Sequence, residues 1–195
     1  RMDAWVRYDA AGEPTEETLD ESGDGQVDRW TELAGGEPVK RSEDTDADGT
    51  PDVFVTFAQG RPARREEDTS GDGAIDRVTH YALAGPAASA GAADAAGSAD
   101  AATSGVVVTK VEQDRDHDGR MDARAEFDPA GRKTREQRDD DGDGAFELSI
   151  LYSGGVRTRV EEDTNADGRA EVVVHYEGEQ VARREADTDG DGRFE

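Results

Sequence analysis

The chain of 195 residues carries 48 acidic against 23 basic side chains, a net charge of −25, with no cysteine and 33% hydrophobic residues. That charge excludes a nucleic-acid binder, which needs a basic footprint, and a polybasic membrane-surface module; no apolar run of about 18 residues is present to insert in a membrane as a helix. Without cysteine there are no disulfides or thiolate metal sites, and this much charge on so little apolar material describes a disordered chain unless something binds the carboxylates.

The first element is a strand signal. Met2, Ala4, Val6 and Tyr8 follow one another at a spacing of two, Gly12 marks a turn, and a charged second strand runs back to an acidic loop, Asp20-Glu-Ser-Gly-Asp-Gly25. That loop is the first of seven. Further copies begin at Asp44, Asp68, Asp114, Asp139, Asp163 and Asp187. The spacing is 24 or 25 residues except between Asp68 and Asp114, where 46 residues hold one repeat plus an insertion. The insertion, residues 83–105, is rich in Ala, Gly and Ser and predicts a flexible loop inside a hairpin. The whole of 1–195 reads as one repeat array. Arg1-Met2-Asp3-Ala4 repeats Arg120-Met121-Asp122-Ala123, and the last residues, Arg193-Phe194-Glu195, stop just after the seventh loop. Both ends therefore fall in mid-repeat, and we expect a longer array.

Counting each repeat from its first loop Asp, positions 8, 10, 12 and 14 alternate as the buried face of a strand. Position 14 is always large: Tyr8, Leu33, Phe57, Tyr81, Phe127, Tyr152 and Tyr176. A glycine turn follows, then a second strand with a small or β-branched position 20 (Thr15, Val39, Ala63, Thr109, Thr134, Thr158, Ala182) and a position 21 that is Glu16 in the first copy and basic in the other six (Lys40, Arg64, Lys110, Arg135, Arg159, Arg183). The basic stripe reads as a solvated face whose charges meet neighbouring acids. The predicted fold is all-β: tandem hairpin repeats of about 24 residues joined by calcium loops, forming an elongated or spiralling antiparallel meander of roughly fourteen strands.

Asp at positions 1, 3 and 5 followed by Gly at 6 is a calcium-ligand spacing, in which alternate side chains converge and glycine permits the sharp turn. The expected ligands are the side chains at 1, 3, 5 and 9 and the carbonyl at 7. In the first loop these are Asp20, Ser22, Asp24, Gln26 and Asp28; in the second Asp44, Asp46, Asp48, Thr50 and Asp52. The third supplies Asp68, Ser70, Asp72, Ala74 and Asp76, and the fourth Asp114, Asp116, Asp118, Arg120 and Asp122. The fifth supplies Asp139, Asp141, Asp143, Ala145 and Glu147, and the sixth Asp163, Asn165, Asp167, Arg169 and Glu171. The seventh has Asp187, Asp189, Asp191, Arg193 and Glu195. An EF-hand would close its loop with Glu at position 12; here position 12 is never acidic and position 9 always is. Loops with Ser22, Ser70 or Asn165 at position 3 have one carboxylate fewer and are expected to bind more weakly. About seven Ca²⁺ ions are expected in all.

These loops resemble the Asp-x-Asp-x-Asp-Gly-x-x-Asp calcium loops of integrin α-subunit propellers and, less closely, dockerin and thrombospondin type 3 repeats. The segments Tyr8-Asp-Ala-Ala-Gly12 and Phe127-Asp-Pro-Ala-Gly131 look like the hairpins of RHS/YD-repeat proteins. The resemblance implies a tandem calcium-loop repeat protein of the bacterial surface or secreted type, located outside the cell, and names no partner. The expected role is a calcium-rigidified stalk, fibre or adhesin segment, with self-association into fibres as one partner class. Two alternatives remain. Trp5, Trp30 and Phe54 share position 11 and form an aromatic strip suited to a glycan or protein, and an RHS-like toxin shell would use the same repeats. Catalysis is not expected: His80 and His175 lie at strand position 13 and His117 in a loop, with no nucleophile arrangement around them.

Overall fold

The structure is a computed structural model and describes residues 3–84 and 105–195. Fourteen strands form a single antiparallel sheet whose spatial order is the order of the chain. They are β1 Asp3–Tyr8, β2 Pro14–Asp20, β3 Arg29–Ala34, β4 Glu37–Glu43, β5 Val53–Ala58, β6 Arg61–Glu67 and β7 Arg77–Leu83, then β8 Val106–Gln113, β9 Ala123–Phe127, β10 Lys133–Arg138, β11 Leu148–Ser153, β12 Val156–Glu162, β13 Val172–Glu177 and β14 Gln180–Ala186. The acidic loops connect each hairpin to the next along one end of the sheet, and the glycine turns lie along the other. The Ala/Gly/Ser insertion enters at the β7–β8 turn, where Leu83 pairs Val106 and the amide of Ala84 donates to the carbonyl of Gly105. Residues 85–104 of that insertion lie outside the described residues. Among the described residues no helix is long and apolar enough to cross a membrane.

Two turn chemistries close five of the hairpins. Gly35-Gly36, Gln59-Gly60 and Gly154-Gly155 have positive φ at both residues, the backbone that matches the twist of flanking strands in a two-residue hairpin. The β1–β2 and β9–β10 hairpins instead use a longer turn. There Asp9 Oδ1 accepts from the amides of Ala11 and Glu13, and Asp128 Oδ1 accepts from those of Ala130 and Arg132.

A bulge recurs in every hairpin at the same place. In β3–β4, Glu32 faces Lys40 and Leu33 faces Pro38, so Val39 is left over. The same arithmetic singles out Thr15, Ala63, Thr109, Thr134, Thr158 and Ala182. These are the position-20 residues, and the bulge explains their small or branched character. Where the residue is Thr15, Thr109 or Thr158, its hydroxyl donates to the carbonyl of the position-13 residue, Arg7, His80 or Leu151. A bulge of this kind raises local twist.

Two expectations about the buried face are corrected. Position 8 is not in the strands: β3, β5, β7, β9, β11 and β13 all begin at position 10. Burial is also two-sided. Val53, Val55 and Ile150 are buried on the face of positions 10 and 12, but Val78 and Val173 at position 11 are buried on the opposite face. The reason is lateral covering by long charged neighbours. Val55 lies between Arg41 and Arg65, and Val173, only 1% exposed, between Glu161 and Glu185.

The basic stripe of position 21 lies on that opposite face, and several of its members pair with the acid two residues on in their own strand: Arg64 with Glu66, Lys110 with Glu112, Arg159 with Glu161 and Arg183 with Glu185. His80 and His175 reach across to Glu112 and Glu185, each at 3.0 Å. The three aromatic residues expected to form a strip share one row, but polar residues separate them. Trp5, Trp30 and Phe54 follow one row with Thr18 and Ser42 between them, and the row then continues through Glu66, Val78, Glu112 and Arg124. Of the three, Trp5 on the outer strand is 50% exposed, while Trp30 and Phe54 are half-buried.

Candidate metal centres

Each loop is built by its own carboxylates accepting its own amides. The position-1 Asp accepts from the position-6 glycine amide in all seven copies, from 2.7 Å for Gly192 to 2.9 Å for Gly25. Position 6 must be glycine because its φ runs from 86° to 95°, a region closed to side chains by sterics. The position-5 Asp accepts from the position-7 amide in every copy, as Asp24 does from Gln26 at 2.7 Å. The position-9 acid folds back over the start of the loop and accepts from the position-2 amide in all seven. Position 9 therefore closes the loop in its own right, in addition to any role as a ligand.

The loops are chained together through the backbone. The position-1 amide of each loop donates to the position-9 carbonyl of the loop before it, at 2.8 Å in all six junctions from Asp44–Asp28 to Asp187–Glu171. The end of one loop is thus the anchor of the next.

This scaffold gathers oxygen donors. Asp139, Asp141, Asp143 and Glu147 of the fifth loop bring one carboxylate oxygen each to within 4.8 Å of one another, the full set at positions 1, 3, 5 and 9. Other groups are Asp44, Asp46 and Asp48; Asp68, Asp72 and Asp76; Asp114, Asp116 and Asp122; and Asp163, Asp167 and Glu171. Asp52 stands outside the second group and Asp118 outside the fourth. Several of these acids are buried, Asp76 to 2% exposure and Asp44 to 7%. Asp44 Oδ1, Asp163 Oδ1 and Glu147 Oε1 are buried oxygens with no hydrogen-bond donor. A buried carboxylate oxygen without a donor is costly unless a cation or a proton meets it. The donors are all hard oxygens, so these Asp-rich groups could hold a metal ion.

Two positions carry roles beyond the 1-3-5-9 pattern. Position 4 is left-handed throughout: Gly23, Gly71, Gly142 and Gly190 take φ of 74° to 79°, and Ala47, His117 and Ala166 take 57° to 62°. A position-4 amide donates to the position-1 Oδ1 from Gly23, Gly71, His117, Gly142 and Gly190. The loops with alanine there are the two whose Oδ1 is left without a donor. Position 2 supplies a second cap. The hydroxyls of Thr45, Thr69, Thr164 and Thr188 donate to the position-9 acid of their loop. Threonine recurring at position 2 in four of seven copies was the signal in the sequence.

Electrostatics differ between loops. Burial pushes the Asp76 carboxyl up, but hydrogen bonds from His117, Thr69 and Ser70 outweigh it and hold the pKa well below the usual carboxylate range. Asp122 is likewise pushed up by burial and held low by Arg115. His117 belongs to the fourth loop and reaches Asp76 of the third at 3.0 Å.

No protein-family model matches the chain, and no curated protein matches it in sequence.

Proposed function

We propose that this chain is a calcium-binding structural repeat scaffold, a non-enzymatic stalk, fibre or adhesin segment that works outside the cell and is rigidified by about one Ca²⁺ per loop. The observation that carries the reading is the buried, donor-free carboxylate oxygen inside an acid group, represented by Asp44 Oδ1 beside Asp46 and Asp48. A multi-carboxylate cage of flexible geometry suits Ca²⁺, which takes six to eight oxygens at about 2.3–2.6 Å, better than the smaller octahedral Mg²⁺. Acids at positions 1, 3, 5 and 9 of the seven loops number 25, and without them the chain has as many acids as bases. Cation binding would thus offset the repulsion that a thin, one-layer core is poorly placed to oppose. Extracellular modules bind calcium at roughly 10⁻⁴–10⁻³ M, which millimolar calcium fills and cytosolic calcium does not.

The test is circular dichroism and solution scattering in chelator and then in millimolar calcium. The expected result is a gain in sheet signal, thermal stability and stiffness on adding calcium. A chain equally ordered, equally stable and equally extended in chelator would overturn it. A second reading, glycan or protein binding by the row of Trp5, Trp30 and Phe54, is supported by the half-exposed Trp5; it requires Trp5→Ala or Trp30→Ala to abolish partner binding without unfolding the sheet.

A further inference from the structure

The seven loops differ in what already neutralises them. In the fourth loop, Arg115 sits at position 2, where every other copy has Glu21, Thr45, Thr69, Asp140, Thr164 or Thr188. Its Nε donates to Asp122 Oδ1 at 2.6 Å while its amide donates to Asp122 Oδ2 at 2.8 Å. Its Nη2 reaches into the fifth loop, donating to the carbonyl of Asp139 at 3.4 Å and to Asp140 Oδ1 at 3.3 Å. Asp122 is 7% exposed, and a carboxylate so buried must be met by hydrogen-bond donors or a cation. Here a guanidinium supplies one from within the chain. By contrast, the second loop leaves Asp44 Oδ1 without a donor and the fifth leaves Glu147 Oε1 without one.

We propose that Arg115 is a resident cation of the fourth loop, tying it to the fifth without metal, so that the array loads unequally and the fourth loop fills after the second and fifth. This rests on the calcium reading above and changes the order that carboxylate counting predicts. By count the second, fourth, fifth and seventh loops are equivalent, because each has acids at positions 1, 3, 5 and 9. By geometry the fourth is the weak one, since an arriving ion must displace Arg115 from Asp122 and break a charge-assisted pair. The third loop shares an oxygen of Asp76 with His117, so the comparison is drawn among the second, fourth and fifth.

Each loop carries its own reporter, because the position-6 glycine amide donates to the position-1 carboxylate: Gly49 to Asp44, Gly119 to Asp114 and Gly144 to Asp139. The experiment is a calcium titration of the whole chain labelled with [¹⁵N]glycine, following these three amides. In the wild-type chain, Gly49 and Gly144 are expected to shift first and Gly119 at a free calcium on the order of tenfold higher, the scale of one charge-assisted hydrogen bond. In Arg115→Gln the Gly119 midpoint falls by about the same tenfold factor, while that of Gly49 stays in place. Gly119 shifting with or before the other two in the wild type would overturn the proposal, and this arm needs no variant to fold. An unchanged Gly119 midpoint in Arg115→Gln would overturn it as well. Both results leave the calcium reading standing, whereas no glycine shift at millimolar calcium removes that reading and this one together.

Discussion

The amide of Asp44 donates to the carbonyl of Asp28 at 2.8 Å. Asp28 is the last acid of the first loop, with its own carboxylate accepting from the amides of Glu21 and Ser22 at 2.7 Å. One residue therefore closes its loop with its side chain and fixes the next loop with its main chain. Order in one loop is transmitted to the following one through a single peptide.

Asp28→Ala removes the side-chain half of that arrangement and leaves two loop amides without an acceptor. The cost is expected to be about 1–3 kcal/mol of stability. It should also appear at a distance, as faster hydrogen exchange of the Asp44 amide, whose own side chain is untouched. An Asp44 amide protected as in the wild type would show that the loops order independently.

Ala47 and Ala166 hold left-handed conformations that glycine fills in four other loops. An L-residue pays roughly 1–2 kcal/mol for that region, against about 0.5–1 kcal/mol of extra chain entropy lost by glycine. Ala47→Gly and Ala166→Gly should therefore each stabilise the chelated chain by up to about 1 kcal/mol. Urea midpoints in chelator measure this, and a variant at or below wild-type stability contradicts it.

Thr79 is 0% exposed, with an Oγ1 that has no hydrogen-bond partner. It lies in β7 between Arg65 and Val111. Thr79→Val keeps the shape, keeps the strand preference and removes the unsatisfied hydroxyl. A gain of about 1 kcal/mol is expected in a thermal melt, and a loss would mean that the hydroxyl is solvated in solution.

Glu136 in β10 accepts from Lys133 Nζ at 2.8 Å, Arg138 Nε at 3.2 Å and the Tyr152 hydroxyl at 3.3 Å. Burial raises its pKa, yet the bonds from Lys133 and Arg138 carry it below the ordinary glutamate value. A depressed folded-state pKa adds stability that is complete above the unfolded value, about 4.3, and fades as pH falls through the folded one. The share of the chelated chain's urea resistance that Glu136 contributes should fade below about pH 4.3, so acidification should cost the wild type more, or gain it less, than Glu136→Gln. An identical pH slope in the variant would remove Glu136 from the account.

Much of this architecture is legible in the sequence. The 24-residue period, the hairpins, the meander and the glycine at position 6 follow from spacing and from what a φ near 90° permits. The small residue at position 20 is visible too, but its bulge is not, because register is decided by pairing between strands. Two-sided burial escapes the alternation rule because that rule counts apolar residues and ignores the stems beside them; Val173 is covered by two glutamates. At the site, the acids are legible and their division of labour is not. Nothing in the spacing tells that Glu147 leaves an oxygen free while Asp122 has both occupied by Arg115.

Spatial order identical to chain order has a consequence for how such a protein changes over generations. Excising residues 44–67 removes one loop with β5 and β6, sets Asp68 where Asp44 stood, and brings its amide to the same Asp28 carbonyl. No pairing elsewhere is lost, since each strand meets only its neighbours in sequence. Duplication or deletion of a 24-residue unit thus adjusts length without redesigning a core, and the reach of the molecule can drift by whole repeats while every junction stays the same.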